Sequence, residues 1–364
     1  MVTLQELFPG EAFEPVNKKY YEDAKKHLDQ LAKPVGSLGE LEKVAIRLYA
    51  IGNGRMPIRI DPAILYTIAG DHGIAAQKVS PFPQAVTRQM VNNFLSGGAA
   101  SNVLCRASRI THKIVDAGCA GGTFKPHPML VDLHMGPGTA DISEGPAMSV
   151  DICEAALRAG LALALGAAQN GFACIGTGEM GIGNSTTASA LFCAFLGLEP
   201  DEVAGPGAGA SHAMIKHKSN MIAKALAANA HALESGDPLQ ILACLGGYEI
   251  AVLTGLMLGC ACQSIPFIVD GFICMSSYVA ACAFFPGLPD YGFLSHISGE
   301  PGFRKVLDKI NPSHKPLLDL EMRLGEGTGA ALALPLLRSA AAIFNEMATL
   351  ESVQVQATPG DRIS

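Results

Sequence analysis

Tryptophan is absent from the 364 residues, aromatic residues of all kinds make up 6%, and charged residues only 16%. Nucleic-acid binding relies on stacking platforms and a basic surface. Here 26 Lys and Arg face 33 Asp and Glu, a formal net charge of −7, so neither requirement is met. The motifs of several enzyme classes are also missing. There is no G-x-x-x-x-G-K-[ST] loop, no G-x-S-x-G elbow and no H-E-x-x-H pair, which removes the usual marks of an ATPase, a serine hydrolase and a zinc protease. Of the ten cysteines only Cys260 and Cys262 are close together, with no second pair or histidine spacing for zinc. The expectation is a reduced protein that uses cysteines as small hydrophobes, with no metal and no cofactor.

The opening residues carry Glu6, Glu11 and Glu14 and lack the pattern of a secretory signal. Two charge-free stretches, 250–269 and 271–289, reach the length of a membrane span. Thr254, Gln263, Ser264 and Pro266 interrupt the first, and Asp270 separates the two. A helix ending near Cys262 followed by a buried strand explains them without a bilayer, so a soluble, cytoplasmic protein is expected.

What is present is apolar residues, at 49%, and 40 glycines scattered at the ends of apolar runs. The length suits one large α/β domain, alone or with a smaller appendage. Residues 17–32 have an amphipathic helical pattern with Tyr20, Tyr21, Ala24, Leu28 and Leu31 on one face. Ser37 and Glu40 are spaced as a capping box for a second helix. Short strand-like runs follow at 63–69, 113–116, 172–175, 267–270, 291–294 and 317–322. Between most of them lie helix-like segments at 84–106, 151–169, 185–198, 211–234, 247–262 and 272–284. This alternation predicts a doubly wound, mainly parallel α/β sheet. Pro335 is expected to kink or split the final helix-like stretch, Thr328 to Leu350.

Nearly every strand-like run ends in glycine with a carboxylate or histidine: Gly70-Asp71-His72-Gly73, Asp116-Ala117-Gly118, Gly178-Glu179, Asp270-Gly271, Ser295-His296 and Gly325-Glu326-Gly327. Open α/β sheets bind ligands outside the carboxyl ends of their strands, so these ends mark a site. Gly176-Thr177-Gly178-Glu179-Met180-Gly181 matches G-x-G-x-x-G, which keeps a dinucleotide-binding oxidoreductase open as an alternative. Against it, Glu179 would set a negative charge where a pyrophosphate should rest, and better suits a cationic or hydroxylated group. Asn184 or Ser185 is expected to cap the next helix. The loop Gly205-Pro206-Gly207-Ala208-Gly209, before a helix carrying Lys216 and Lys218, has the makings of a monophosphate cradle, though a flexible connector fits it equally. Asp71 and His72 order their loop or contact a ribose.

These stretches together resemble the nicotinate-nucleotide–dimethylbenzimidazole phosphoribosyltransferase (CobT) family. The resemblance runs through Lys33 to Gly39, Ala69 to Gly73, Gly178 to Asn184, Gly246 to Ile250, Asp270 to Ile273, Arg323 to Ala330 and Asn345 to Thr349. It implies transfer of 5-phosphoribose from nicotinate mononucleotide to 5,6-dimethylbenzimidazole or a related base, in cobamide nucleotide-loop assembly. It also implies a Rossmann-like domain over 56–330, and a small helical domain built from 1–55 and joined by 331–364, in a homodimer. By the same resemblance Glu326 is the catalytic base. Gly205, Gly207, Gly209 and Lys218 hold phosphate, and Gly178, Glu179 and Gly181 adjoin the ribose and nicotinate. Asp71, His72, Leu324 and Gly325 join the substrate-binding set, with Phe82 and Met90 in the base-pocket segment. The family's S-A-E-P-G-H run is here Ser298-Gly299-Glu300-Pro301-Gly302-Phe303. This change, with Pro206, Ala208, Phe82 and Met90, bears on which base is accepted. A non-catalytic paralogue that binds a base or nucleotide is the remaining alternative, and the intact Glu326 argues against it.

Overall fold

The computed structural model describes residues 2–310 and 315–354. Six strands, β1 (Ala63–Gly70), β2 (Thr111–Gly118), β3 (Leu130–Asp132), β4 (Cys174–Met180), β5 (Phe267–Val269) and β6 (Gly292–Leu294), form one sheet. Every pairing is parallel and the order is β3-β2-β1-β4-β5-β6. This is the Rossmann-like arrangement, in which the chain winds outward from β1 and then restarts on its other side at β4. The reversal leaves a crevice beyond the carboxyl ends of β1 and β4. All eight residues of β1 are buried, because side chains alternate to two covered faces of a parallel sheet.

The helix Tyr248–Cys262 is buried at every residue but its last. Burial on all sides, not a bilayer, accounts for its missing charges. It crosses the helix Val150–Gln169 at glycine: a Cβ on Gly160 would collide with the Val252 carbonyl, and one on Gly255 with that of Leu157. Among the described residues one helix, Thr328–Glu346, is long and apolar enough to cross a membrane, and 56% of its apolar window is buried inside the protein. All ten cysteines are free thiols and eight are buried, as small apolar side chains would be.

Several sequence expectations change. Residues 317–322 are not a strand. Leu318 makes a single parallel bridge to His296, and the left-handed backbone of Glu321 (φ 55°) ends the extended run. The short edge strand β3 was not expected, although Leu130-Val131-Asp132 ends like the run at 113–116. Segment 84–106 is two helices, Ala85–Leu95 and Ala100–Ala107, parted at Gly97 (φ 77°). Segment 211–234 divides at Asn229 into His212–Ala228 and Ala230–Ser235. Ser37 caps nothing. The second helix, Glu40–Ile51, starts after Gly39, and the Leu38 N–H donates to Glu42, which also pairs with Lys33 at 2.8 Å. Thr328–Glu346 does not split at Pro335.

The N-terminal helices Lys18–Gln30 and Glu40–Ile51 pack on each other, and the second packs on Thr328–Glu346. His27 Nε2 lies 2.8 Å from the Phe344 carbonyl. The backbones join where the Ala32 N–H donates to Ala348 and the Leu350 N–H to Gln30. Leu28, Leu48 and Phe344 belong to the same apolar core as the sheet. Residues 355–364 of the expected C-terminal segment lie outside the described residues.

Gly255→Ala forces a methyl into the Leu157 backbone and is expected to cost about 1–3 kcal/mol, read as a lowered Tm by calorimetry. An unchanged Tm would show that this helix crossing is looser than the geometry states.

Candidate active site

Two glycine-flanked carboxylates meet at the reversal point of the sheet. Glu179 is the next-to-last residue of β4, and Gly178 beside it permits a close approach from above. A Cβ there would come within 2.6 Å of the Gly327 N and 2.7 Å of the Glu326 carbonyl group. The turn that rests on it is unusual, since Gly325 (φ 85°), Glu326 (φ 63°) and Gly327 (φ 88°) are all left-handed. Such a backbone costs an L residue roughly 1–2 kcal/mol, so Glu326 is held there by its surroundings. Gly325 needs its bare Cα because a Cβ would strike the carboxyl of Glu179.

Asp270, just past β5, supplies much of that hold. Its carboxylate accepts N–H bonds from Gly327 (3.0 Å), Gly329 (2.7 Å) and Ala330 (3.1 Å), fastening the turn and the first turn of Thr328–Glu346 together. A second clamp comes from β1, where the Thr67 hydroxyl donates to the Glu326 carbonyl at 2.9 Å. Having given its proton there, Thr67 accepts from Nε2–H of His112 at 2.9 Å, and His112 Nδ1 accepts from Asn102 at 3.1 Å. Burial pushes His112 down to about 4, so it stays neutral and keeps one tautomer.

The two carboxyls differ in environment. Burial, then the neighbouring Asp270 and Glu249, push Glu179 up to about 8, against a hydrogen bond from the Asn184 amide. At neutral pH Glu179 is therefore mainly protonated. Glu326 is also raised by burial, but the Ser101 N–H and hydroxyl at the start of Ala100–Ala107 counter the rise. Its Oε2 is buried with no hydrogen-bond partner. Burial thus raises both acids, and they differ in their partners: Asn184 for Glu179 and Ser101 for Glu326.

A cavity of about 550 Å³ opens beside this pair, within the range of small-molecule sites. Glu179, Gly181, Gly207, Lys218, Phe82, Leu324 and Gly325, all expected at the site, line it. Lys218 is almost fully buried; its Nζ donates to Ser185 Oγ (3.0 Å) and the Gly205 carbonyl (2.8 Å). Burial pushes it down to about 8, opposed by Glu300. Two of its three N–H groups are thus committed, leaving one. Arg323 donates to the Gly207 carbonyl at 3.0 Å and ties the two glycine loops together.

Other expected residues lie elsewhere. Glu326 is not part of the cavity wall; its carboxylate faces Ser101, while Leu324 and Gly325 are exposed to the cavity. Gly178 lies beneath the turn, Gly205 carries the carbonyl that Lys218 holds, and Gly209 is open to solvent on its Cβ side. Asp71 and His72 are 1% exposed and serve the scaffold. Asp71 accepts from the Ala120 N–H at 2.8 Å, and His72 lies 2.6 Å from Glu249 and 3.1 Å from Thr187. Met90 packs against the apolar cluster of Val91, Phe94 and Phe124. Asn184 does not cap its helix, whose N-cap is Gly183, because its amide is turned to Glu179.

Sequence reasoning missed Glu300, whose two buried oxygens have no hydrogen-bond partner and which lines the cavity near Lys218. Its signal was position: it follows the strand end at His296 by four residues, between glycines. The dinucleotide alternative loses its geometry. Gly176 and Gly178 are strand residues paired with Leu65 and Thr67, and the Glu179 carboxyl and Asn184 sit where a pyrophosphate would meet the helix N-terminus.

A parallel sheet with paired acids and a buried lysine around a nucleotide-sized cavity belongs to group-transfer chemistry on a small anionic substrate. A family model described as Phosphoribosyltransferase matches residues 13–355, which places the chain in that class of enzyme. The nicotinate-nucleotide–dimethylbenzimidazole phosphoribosyltransferase of Nitratidesulfovibrio vulgaris (strain DP4) is 52% identical over 345 residues, covering 95% of this chain and 96% of the relative. That of Chlorobaculum tepidum is 43% identical over 344 residues, 94% of this chain and 96% of the relative. The crystal structure of the Thermus thermophilus enzyme of the same name superposes with a TM-score of 0.87 at 40% identity, covering 94% of this chain and all of that one. The chain belongs to the nicotinate-nucleotide–dimethylbenzimidazole phosphoribosyltransferase family.

Raised from 4.5 to about 8 on folding, Glu179 binds its proton more tightly in the folded than in the unfolded chain. Its contribution is therefore best preserved below pH 4.5 and declines as pH rises to about 8. Glu179→Gln is expected to stabilise the protein more at pH 8 than at pH 5, by on the order of 1–3 kcal/mol, measured by denaturant unfolding at the two pH values. An equal effect at both would mean that Glu179 is ionised in the fold. Thr67→Val should lower kcat several-fold while circular dichroism stays unchanged, since it frees the Glu326 carbonyl without emptying the core. Full activity would show that this clamp is dispensable.

Proposed function

We propose that this enzyme transfers the 5-phosphoribosyl group of nicotinate mononucleotide to 5,6-dimethylbenzimidazole or a closely related base, yielding nicotinate and α-ribazole 5′-phosphate for cobamide assembly. The observation that carries this reading is the seating of the Gly325-Glu326-Gly327 turn on Gly178-Glu179, next to a cavity that reaches Lys218.

The chemistry suits those groups. The pyridinium nitrogen of the donor is already cationic, so the electron pair of the breaking C1′–N bond neutralises it and no general acid is needed. The acceptor nitrogen supplies its lone pair to C1′ from the opposite face, which inverts β to α. As that bond forms, the other ring nitrogen loses its proton to Glu326, whose unpartnered Oε2 must be uncovered for this, since Glu326 is not part of the cavity wall. A single positioned base contributes on the order of 10²–10⁴-fold, and alignment of the two substrates at least as much. Protonated Glu179 acts as a hydrogen-bond donor to the ribosyl end of the donor, in place of an electrostatic role for its carboxylate. The remaining N–H of Lys218, with Gly207 and Ser185, takes the 5′-phosphate, and Phe82, beside Leu324, borders the acceptor base. The helical segments 1–55 and 331–354 act as a small domain. A homodimer and a cytoplasmic location complete the proposal, the first open to sedimentation analysis.

Glu326→Gln is expected to lower kcat by roughly 10²–10⁴-fold with the KM for nicotinate mononucleotide within about threefold, followed as nicotinate release by chromatography. Near-wild-type turnover would remove Glu326 as the base. No nicotinate release by the unmodified enzyme with any of a panel of benzimidazole, purine and phenolic acceptors would remove the reaction itself.

A further inference from the structure

At the far edge of the sheet from the cavity, the pairing of β2 with β3 sets Asp116 directly beside Asp132. The chain then folds back over them, with the N–H groups of Leu133 and His134 both donating to the Asp116 carbonyl at 2.9 Å. This brings the imidazole of His134 to the same place, and one donor atom from each of Asp116, Asp132 and His134 lies within 4.8 Å of the others.

The Asp116 carboxylate is divided in its duties. Oδ1 accepts from the Gly118 and Cys119 N–H groups at 3.0 and 2.8 Å, which shapes the loop after β2. Oδ2 is buried, has no hydrogen-bond partner and points to His134 Nδ1, itself unpartnered, 3.7 Å away. That is too far for a hydrogen bond. It is close to the separation of about 3.4 Å that two ligands 2.1 Å from one tetrahedral ion would have. A buried carboxylate oxygen without a partner is costly, and a cation would relieve it. The partly exposed His134 and the exposed Asp132 give an ion a path from solvent.

We propose that Asp116, Asp132 and His134 bind one divalent first-row transition ion, of the zinc, cobalt or manganese type, through one imidazole nitrogen and two carboxylates. This donor set suits such ions better than magnesium or calcium, which take oxygen ligands. The ion's role is structural. It fastens the loop after β2 to the turn after β3, and through the Ala120 N–H bond to Asp71 steadies the end of β1.

The full-length protein, treated with chelator and dialysed, is titrated with Co²⁺ by absorbance and with Zn²⁺ by calorimetry, and its Tm is recorded with and without Zn²⁺. One equivalent is expected to bind and Tm to rise. Asp132→Asn should weaken binding by more than about tenfold and abolish the Tm gain. His134→Asn, chosen because asparagine tolerates the left-handed backbone at this residue (φ 37°), should do the same. Both variants should fold and release nicotinate from nicotinate mononucleotide as the parent does under the same metal-free conditions. No binding by the parent at millimolar ion, or binding that both variants retain, overturns the proposal. A variant that fails to fold is replaced by Asp132→Ser, read the same way.

Discussion

The Asp270 carboxylate joins three parts of the molecule that the chain brings together only by folding. It stands at the end of β5, accepts from the backbone of the Gly325-Glu326-Gly327 turn, and caps the helix that follows. Burial raises the Asp270 carboxyl, and His296 with the three backbone N–H groups works against that rise. With the Thr67 clamp, this anchor holds Glu326 in its left-handed conformation. The strain at the turn and the satisfied carboxylate below it are two sides of one arrangement, which gives Glu326 a fixed position before any substrate arrives.

Around that anchor the site concentrates acids. Asp270, Glu249, Glu179, Glu300 and Glu326 are all buried, with Lys218, His72 and His296 buried among them. Such crowding is unfavourable for an empty protein, and part of it is relieved by protonating Glu179. A donor with a cationic ring supplies a missing positive charge, and the ring nitrogen becomes neutral when the C1′–N bond breaks.

Much of this could be read from residues alone. The alternating apolar runs gave five of the six strands, and the glycines with carboxylates at strand ends marked the correct edge of the sheet. The long motifs pointed to the family. What escaped depended on contacts distant in sequence. Nothing near Ser37 shows that Glu42 will be taken by Lys33 and the Leu38 N–H, or that the helix begins three residues later. The run at 317–322 lies beside the end of β6 but pairs there through a single bridge, and Glu321 turns it away before a strand forms. Asp71 and His72 look like site residues by position, and only the fold shows His72 held between Glu249 and Thr187 and one Asp71 oxygen taken by the Ala120 N–H. Likewise Asp116, Asp132 and His134 have no motif spacing; strand register alone makes them neighbours.

The helix Thr328–Glu346 begins at the Glu326 turn and ends against His27 and Tyr49 of the N-terminal helices. Nineteen residues at 1.5 Å each make a rod of about 28 Å, unbroken despite its proline and braced midway where Arg338 grips Asp61. A lever of that kind moves as one piece. A shift of the helical lobe is therefore coupled, through one unbroken helix, to the turn that carries Glu326.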